Sequence, residues 1–219
     1  MNRVVVAGSI NMDVVATAPR HPKIGETIAG NAVLFLPGGK GANQAIAAAR
    51  LGAAATLIGC VGQDAFGRDL RSFLATTGIE LAFLRDTRDL GTGTALITVA
   101  GGDNTIVVVP GANALVNADD IAAPPLKTGD IAVSQFEIPL PTVKAFFERA
   151  RTVKATTILN PAPALPCDRE LLDLADILIL NETELGFLAG TNIGPADDPA
   201  TIIAAAQSLQ SDSRQIICV

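Results

Sequence analysis

The sequence predicts an α/β fold: a doubly wound, mostly parallel sheet flanked by helices, with a small β-sheet lid. Three observations predict it. Six short runs rich in Val, Ile and Leu are continuous rather than alternating, the pattern of strands buried on both faces. Segments with helix start and stop signals lie between them. Two β-like stretches belong to no strand–helix–strand succession.

In chain order, "RVVVAGS" (3–9) is the first predicted strand. Residues 14–36 follow, with prolines, glycines and the β-like pieces "DVVATA" and "ETIAGNAVLFL". Residues 41–51 are Ala-rich and stop at Gly52, which reads as a helix with its C-terminal glycine. "ATLIGCVG" (55–62) is a strand, and 64–77 a helix that opens on Asp64 and stops at Gly78. Residues 91–112 read as a hairpin: "GTALITV", a turn at "AGGDN", then "TIVVVPGAN". "DIAVSQF" (130–136), "TTILNP" (156–161), "DILILN" (176–181) and "QIICV" (215–219) are the remaining strands. Helices at 139–152 and 199–210 alternate with them, with Pro139 and Pro199 in their first turns. A strand at 215–219 without a following helix is read as a domain cut short at its C-terminal side. The expectation is one α/β domain over 1–219, with lid segments 14–36 and 91–112 inserted in it.

Composition bounds the function. Of 219 residues, 49 % are hydrophobic, so a substantial core is available. The net charge of −6 and the lack of any Lys/Arg stripe argue against a nucleic-acid partner. The apolar run at the start is too short for a signal peptide, and no stretch is long enough to span a bilayer, so no membrane is expected. Three cysteines lie far apart, and Cys60 and Cys218 sit in apolar runs, so buried thiols are expected. With one histidine, His21, a His/Cys metal centre is not expected. Together these features read as a soluble protein of the reducing cytoplasm.

Ligands of open α/β sheets bind beyond the carboxyl ends of the strands. The polar residues expected there are Asn11 and Asp13 after the first strand, Glu137 after "DIAVSQF", and Asn181, Glu182 and Glu184 in "NETE". The segment "GGKGAN" (38–43) precedes a helix whose first amides are free. Its glycines permit close backbone approach, and Lys40 and Asn43 add polar groups. It is neither a P-loop nor a dinucleotide fingerprint. Asn11 and Asp13 suit the vicinal hydroxyls of a sugar, because a carboxylate accepts twice and an amide both donates and accepts. Each has a plainer use. The glycines alone serve a turn, Asn11 and Asp13 can cap one, Glu137 suits a helix N-terminus, and Asn181 with Glu184 spells a capping box.

Taken together, "GSINMD" (8–13), "GGKGANQAIAAARLG" (38–52), "GTALI" (93–97), "GAN" (111–113), "LNPAPA" (159–164) and "NETE" (181–184) resemble the ribokinase-like family of carbohydrate and nucleoside kinases. The resemblance runs from Val4 to Val219, and "GGKGANQA" with "NPAPA" leans toward its ribose-phosphorylating branch. It implies an ATP-dependent kinase acting on the 5-hydroxyl of D-ribose. By resemblance, Asn11, Met12 and Asp13 are sugar-binding, with Asp13 on the ribose 2- and 3-hydroxyls. Gly39, Lys40, Gly41, Ala42, Asn43 and Glu137 complete that subsite. Asn181 is on the ATP side, and Glu184 organises Mg²⁺ through water. The two inserted segments match a lid that closes over the sugar and supports a homodimer, with Ala95 and Ile97 as lid contacts.

The same resemblance implies a Gly-Ala-Gly-Asp motif, whose aspartate is the general base, an adenine segment and a K⁺ loop. None of these is in the sequence. The general base is therefore expected beyond Val219, and the 219-residue polypeptide alone is expected not to phosphorylate ribose at a useful rate. The competing expectations are a sister kinase for another sugar or a nucleoside, and a non-catalytic sugar-binding fragment.

Overall fold

The computed structural model describes residues 2–194 and 197–219. Seven strands form one wholly parallel sheet: β1 (Arg3–Ala7), β4 (Ala54–Gly62), β5 (Leu84–Thr87), β8 (Ile131–Gln135), β9 (Thr156–Asn160), β10 (Ile177–Ile179) and β11 (Ile216–Cys218). Their spatial order is β11-β10-β9-β8-β1-β4-β5, which reverses direction across β1. Four strands form the second, mixed sheet: β2 (Asn11–Ala18), β3 (Ala32–Gly38), β6 (Gly93–Ala100) and β7 (Asp103–Val109), in the order β3-β2-β6-β7.

The helices are α1 (Lys40–Arg50), α2 (Ala65–Ala75), α3 (Ala118–Ala122), α4 (Leu140–Thr152), α5 (Arg169–Asp173), α6 (Glu182–Ala189) and α7 (Pro199–Leu209). Their starts follow local chemistry. Asp64 accepts from Gly67 N at 2.8 Å and caps α2, and Asp198 caps α7 ahead of Pro199. Helices cover both faces of the parallel sheet. Val5 and Ala7 join Phe146, Phe147 and Leu178 in one core, while Val6 joins Ile10, Leu57, Leu70 and Leu74 in the other. Alternate residues of one strand thus serve two cores, which is why the strand runs show no polar alternation.

The second sheet sits where the sequence places a lid, with different limits. Its first strand begins at Asn11 rather than 14, and residues 19–31 carry no strand, so "ETIAGNAVLFL" is extended only from Ala32. The β6–β7 turn is tighter than "AGGDN": Ala100 pairs with Asp103, leaving Gly101 and Gly102 alone at φ +62° and +88°. Two-residue hairpin turns favour positive φ at these positions, where glycine meets no steric cost. Three further elements had no strong sequence signal, the short β5, α3 and α5. One expectation is corrected: Cys218 is exposed, because β11 is the sheet's edge strand, whereas Cys60 in β4 is buried. Among the described residues no helix is long and apolar enough to cross a membrane.

Candidate sugar-binding site

Between the lid and the carboxyl ends of β1 and β8 lies a cavity of about 700 Å³. The lid contributes one face by strand alternation. Asn11 and Asp13 of β2, Ala95 and Ile97 of β6, and Ile106 and Val108 of β7 all line it. The register agrees, since Asp13 pairs with Ala95 and Ala95 with Val108.

The start of α1 supplies the second wall, through Gly39, Lys40 and Asn43. Gly39 has φ +92°, and a Cβ there would lie 2.7 Å from both Asn11 N and Ser9 O. Only glycine lets the helix start come this close to the root of the lid. The β8–α4 turn forms the third wall with Phe136, Glu137, Ile138 and Pro139. Ser9 Oγ donates to Glu137 Oε2 at 2.5 Å, and Lys40 N reaches the same oxygen at 3.4 Å. These bonds hold Glu137 beside the helix start.

Asp13 and Glu137 thus face one cavity. Burial, and then the like charge of Glu137, push the Asp13 carboxyl above its ordinary value of 3.8. The arrangement is two carboxylates, three amides (Asn11, Asn43 and Asn113) and a lysine around a volume large enough for a small polyol.

Asn11, Asp13, Gly39, Lys40, Asn43 and Glu137 therefore come together, with Ala95 and Ile97 beside Asp13 on the lid face. Met12, Gly41 and Ala42 do not line the cavity. Met12 and Ala42 point into the core with Ile10 and Leu57, because successive strand residues face opposite ways and α1 turns Ala42 inward. Gly41 packs on the β1–β2 turn, where a Cβ would lie 2.5 Å from Gly8 C. Asn181 and Glu184 lie at the start of α6, outside the lining. There they close a reciprocal capping box: Asn181 Oδ1 accepts from Glu184 N at 2.8 Å, and Glu184 Oε2 from Asn181 N at 2.9 Å.

Ser9 and Asn113 are the polar residues that reading the sequence left out. Both stand inside noted motifs, "GSINMD" and "GAN", but contacts spanning about a hundred residues carry no local signal.

Comparison with known proteins gives the family. The family model described as pfkB family carbohydrate kinase matches residues 1–219. The ribokinase of Bacillus subtilis (strain 168) is 40 % identical over 195 residues, which are 86 % of this chain and 65 % of that protein. The ribokinase of Mus musculus is 39 % identical over 221 residues, covering 99 % of this chain and 67 % of that protein. The solved structure of Arabidopsis thaliana ribokinase complexed with ribose and ATP superposes with a TM-score of 0.82 at 31 % identity, covering 99 % of this chain and 70 % of that one. This chain spans 65 % of the length of the Bacillus relative. From sequence match, fold and relatives together, the chain belongs to the pfkB family of carbohydrate kinases.

Proposed function

We propose that this chain forms the sugar-binding part of an ATP-dependent kinase that phosphorylates the 5-hydroxyl of D-ribose. The observation that carries the reading is the pair Asp13 and Asn11 on the lid, facing Glu137 across one cavity. Ionised carboxylates accept hydroxyl protons, and the amide donates to a hydroxyl oxygen, so a polyol satisfies both kinds of group. Asn43 and Lys40 complete the ring of polar groups. The ribokinase relatives support ribose and ATP as substrates.

Phosphoryl transfer depends mainly on positioning and charge neutralisation. In this reading Asn11, Asp13, Asn43 and Glu137 orient the sugar, while the apolar lid residues Ala95, Ile97, Ile106 and Val108 exclude water, the competing acceptor. Asn181 and Glu184 would stand on the ATP side. Glu184 spends Oε2 on Asn181 N, and its other oxygen has no partner among the described residues. One free oxygen suits a water of a hydrated Mg²⁺, which sheds its waters reluctantly. Among the described residues there is no cluster of three or more His, Cys, Asp or Glu. The bound ion would neutralise phosphate charge. A monovalent-cation loop has no counterpart in this sequence, so no residue here is assigned to K⁺.

The lid's outer strands support a homodimer formed through it. Every residue of β7 is exposed, and apolar edge strands of this kind seek a partner. The cytoplasm is the compartment proposed for this chemistry.

The test is calorimetric titration with D-ribose, 2-deoxyribose, D-fructose and adenosine, beside a coupled assay for ribose-dependent ADP release. Tightest binding of D-ribose supports the reading. Preference for another of these ligands replaces the substrate, and no binding of any sugar overturns the site.

A further inference from the structure

Asn113 is a buried polar residue on the 3₁₀ turn Gly111–Leu115, and its side chain is fully engaged. Its Oδ1 accepts from Ile10 N at 2.9 Å. Its Nδ2 donates to Asn11 Oδ1 at 2.7 Å and to Ile10 O at 3.2 Å. A backbone N–H can only donate, so the Ile10 bond fixes which end of the Asn113 amide is oxygen. The other end must then be the donor, and it occupies Asn11 Oδ1. Asn11 is left with Nδ2, which has no hydrogen-bond partner among the described residues and is not sealed from solvent.

Gly93 is an independent sign that this pair is built in. It stands opposite Asn11 in the β2–β6 ladder. A Cβ there would lie 2.1 Å from Asn113 Nδ2 and 2.3 Å from Asn11 Oδ1. Any larger residue would push the two amides apart.

We infer that Asn113 is a positioning residue that locks the Asn11 amide with its N–H donors toward the sugar cavity, Gly93 providing the room. This deepens the sugar-site reading and rests on it. It assigns a polarity to the site. Asp13 and Glu137 accept, Asn11 donates, and a hydroxyl between them gives its proton to a carboxylate while receiving one from Asn11. A ligand group that lacks an acceptor oxygen there leaves Asn11 unsatisfied, so the lock selects a hydroxyl over an ammonium group or a bare methylene.

The test is a double-mutant cycle on D-ribose affinity at neutral pH. Asn113→Asp keeps the shape and the acceptor for Ile10 N, but its ionised carboxylate cannot donate to Asn11. We expect ribose binding to weaken by about tenfold, the scale of one hydrogen bond. The loss should vanish when Asn11→Ala is already present, because Asn113 acts through Asn11. Equal losses in both backgrounds would mean a merely structural role and overturn the inference. Gly93→Ala, with both amides retained, is the second variant and should show the same coupling. A third measurement uses the unmodified, sugar-free protein. By NMR, the side-chain NH₂ of Asn113 should exchange slowly with solvent and that of Asn11 fast, and the reverse order overturns the lock. That measurement needs no ligand. Failure of the unmodified chain to bind ribose therefore falls on the proposed function, and a reversed exchange order falls on this inference.

Discussion

The same three residues, Val-Val-Val, occur in two strands with opposite fates. In β1, Val5 and Val6 are 0 % exposed; in β7, Val107 is 62 % exposed and Val108 and Val109 nearly half. Local propensity is identical, so the difference lies in what stands on each side. β1 is central in a sheet covered by helices on both faces, whereas β7 is an edge strand, paired on one side only, with β6. The main sheet is held by burial. The lid is held by its ladders and by polar fastenings at its root. Among these, Asp64 accepts from Thr92 N and from Thr92 Oγ1, each at 2.7 Å, where β6 begins. Met12 adds a core contact at the lid's root, while the exposed residues of β7 take no part in the fastening and are available to a sugar or a second lid.

This contrast is open to direct attack. The largest expected effect is in the core: Phe146→Ala, at a fully buried site, should destabilise by about 3–5 kcal/mol in chemical denaturation. A loss below about 1 kcal/mol would remove the claim that burial holds the main sheet. Next is Asp13→Ala, where each lost charge-assisted bond is worth about 1.5–3 kcal/mol, or roughly 10- to 100-fold in ribose affinity. Its melting temperature should not fall, since the variant also removes a half-buried charge facing Glu137. Unchanged affinity in a folded variant would rule out the sugar-binding role.

Titration sharpens the same point. The folded pKa of Asp13 is raised above 3.8, by burial first and Glu137 second. Its contribution to stability is therefore present below the unfolded pKa and lost as pH rises through the folded one. Ribose affinity should run the other way, because the ionised form accepts, and so should decline as pH falls through that raised pKa. Glu137→Gln should move the midpoint of this decline downward. A midpoint that stays put would mean the two carboxylates do not interact.

The smallest effects belong to the lid. Asp64→Ala removes a helix cap and the fastening to Thr92, and should cost about 1–2 kcal/mol. Asp64 itself experiences burial, which raises its pKa, but bonds from Thr92 and Gly67 and the charge of Arg68 outweigh that and lower it. The stabilising contribution is thus present above the unfolded pKa and lost as pH falls through the folded one. Val107→Thr should change stability by no more than about 0.5 kcal/mol. A loss as large as that of Phe146→Ala would show that the lid, too, is held by burial.

Much of this molecule was legible in its amino-acid order. Continuous Val/Ile/Leu runs, Asp64 and Asp198 before helices, and paired glycines between β-branched runs are local facts with local consequences. They determined the parallel sheet, the helices between its strands and the hairpin of the lid. The motifs also placed Asn11, Asp13, Lys40, Asn43 and Glu137 near one crevice, since strand ends in such a sheet share an edge, but the same rule put Asn181, Glu182 and Glu184 there, and none of the three lines the cavity. Tertiary structure alone decided which neighbours of those residues face the cavity. Met12, Gly41 and Ala42 stand in the same motifs yet turn away from it, and Cys218, in an apolar run, ends on an exposed edge. Only the fold brings Asn113 to Asn11 and Ser9 to Glu137, across 102 and 128 positions of chain. The physical reason is one of range: propensity and capping act within a few residues, while burial and amide orientation depend on the element that chain topology lays alongside.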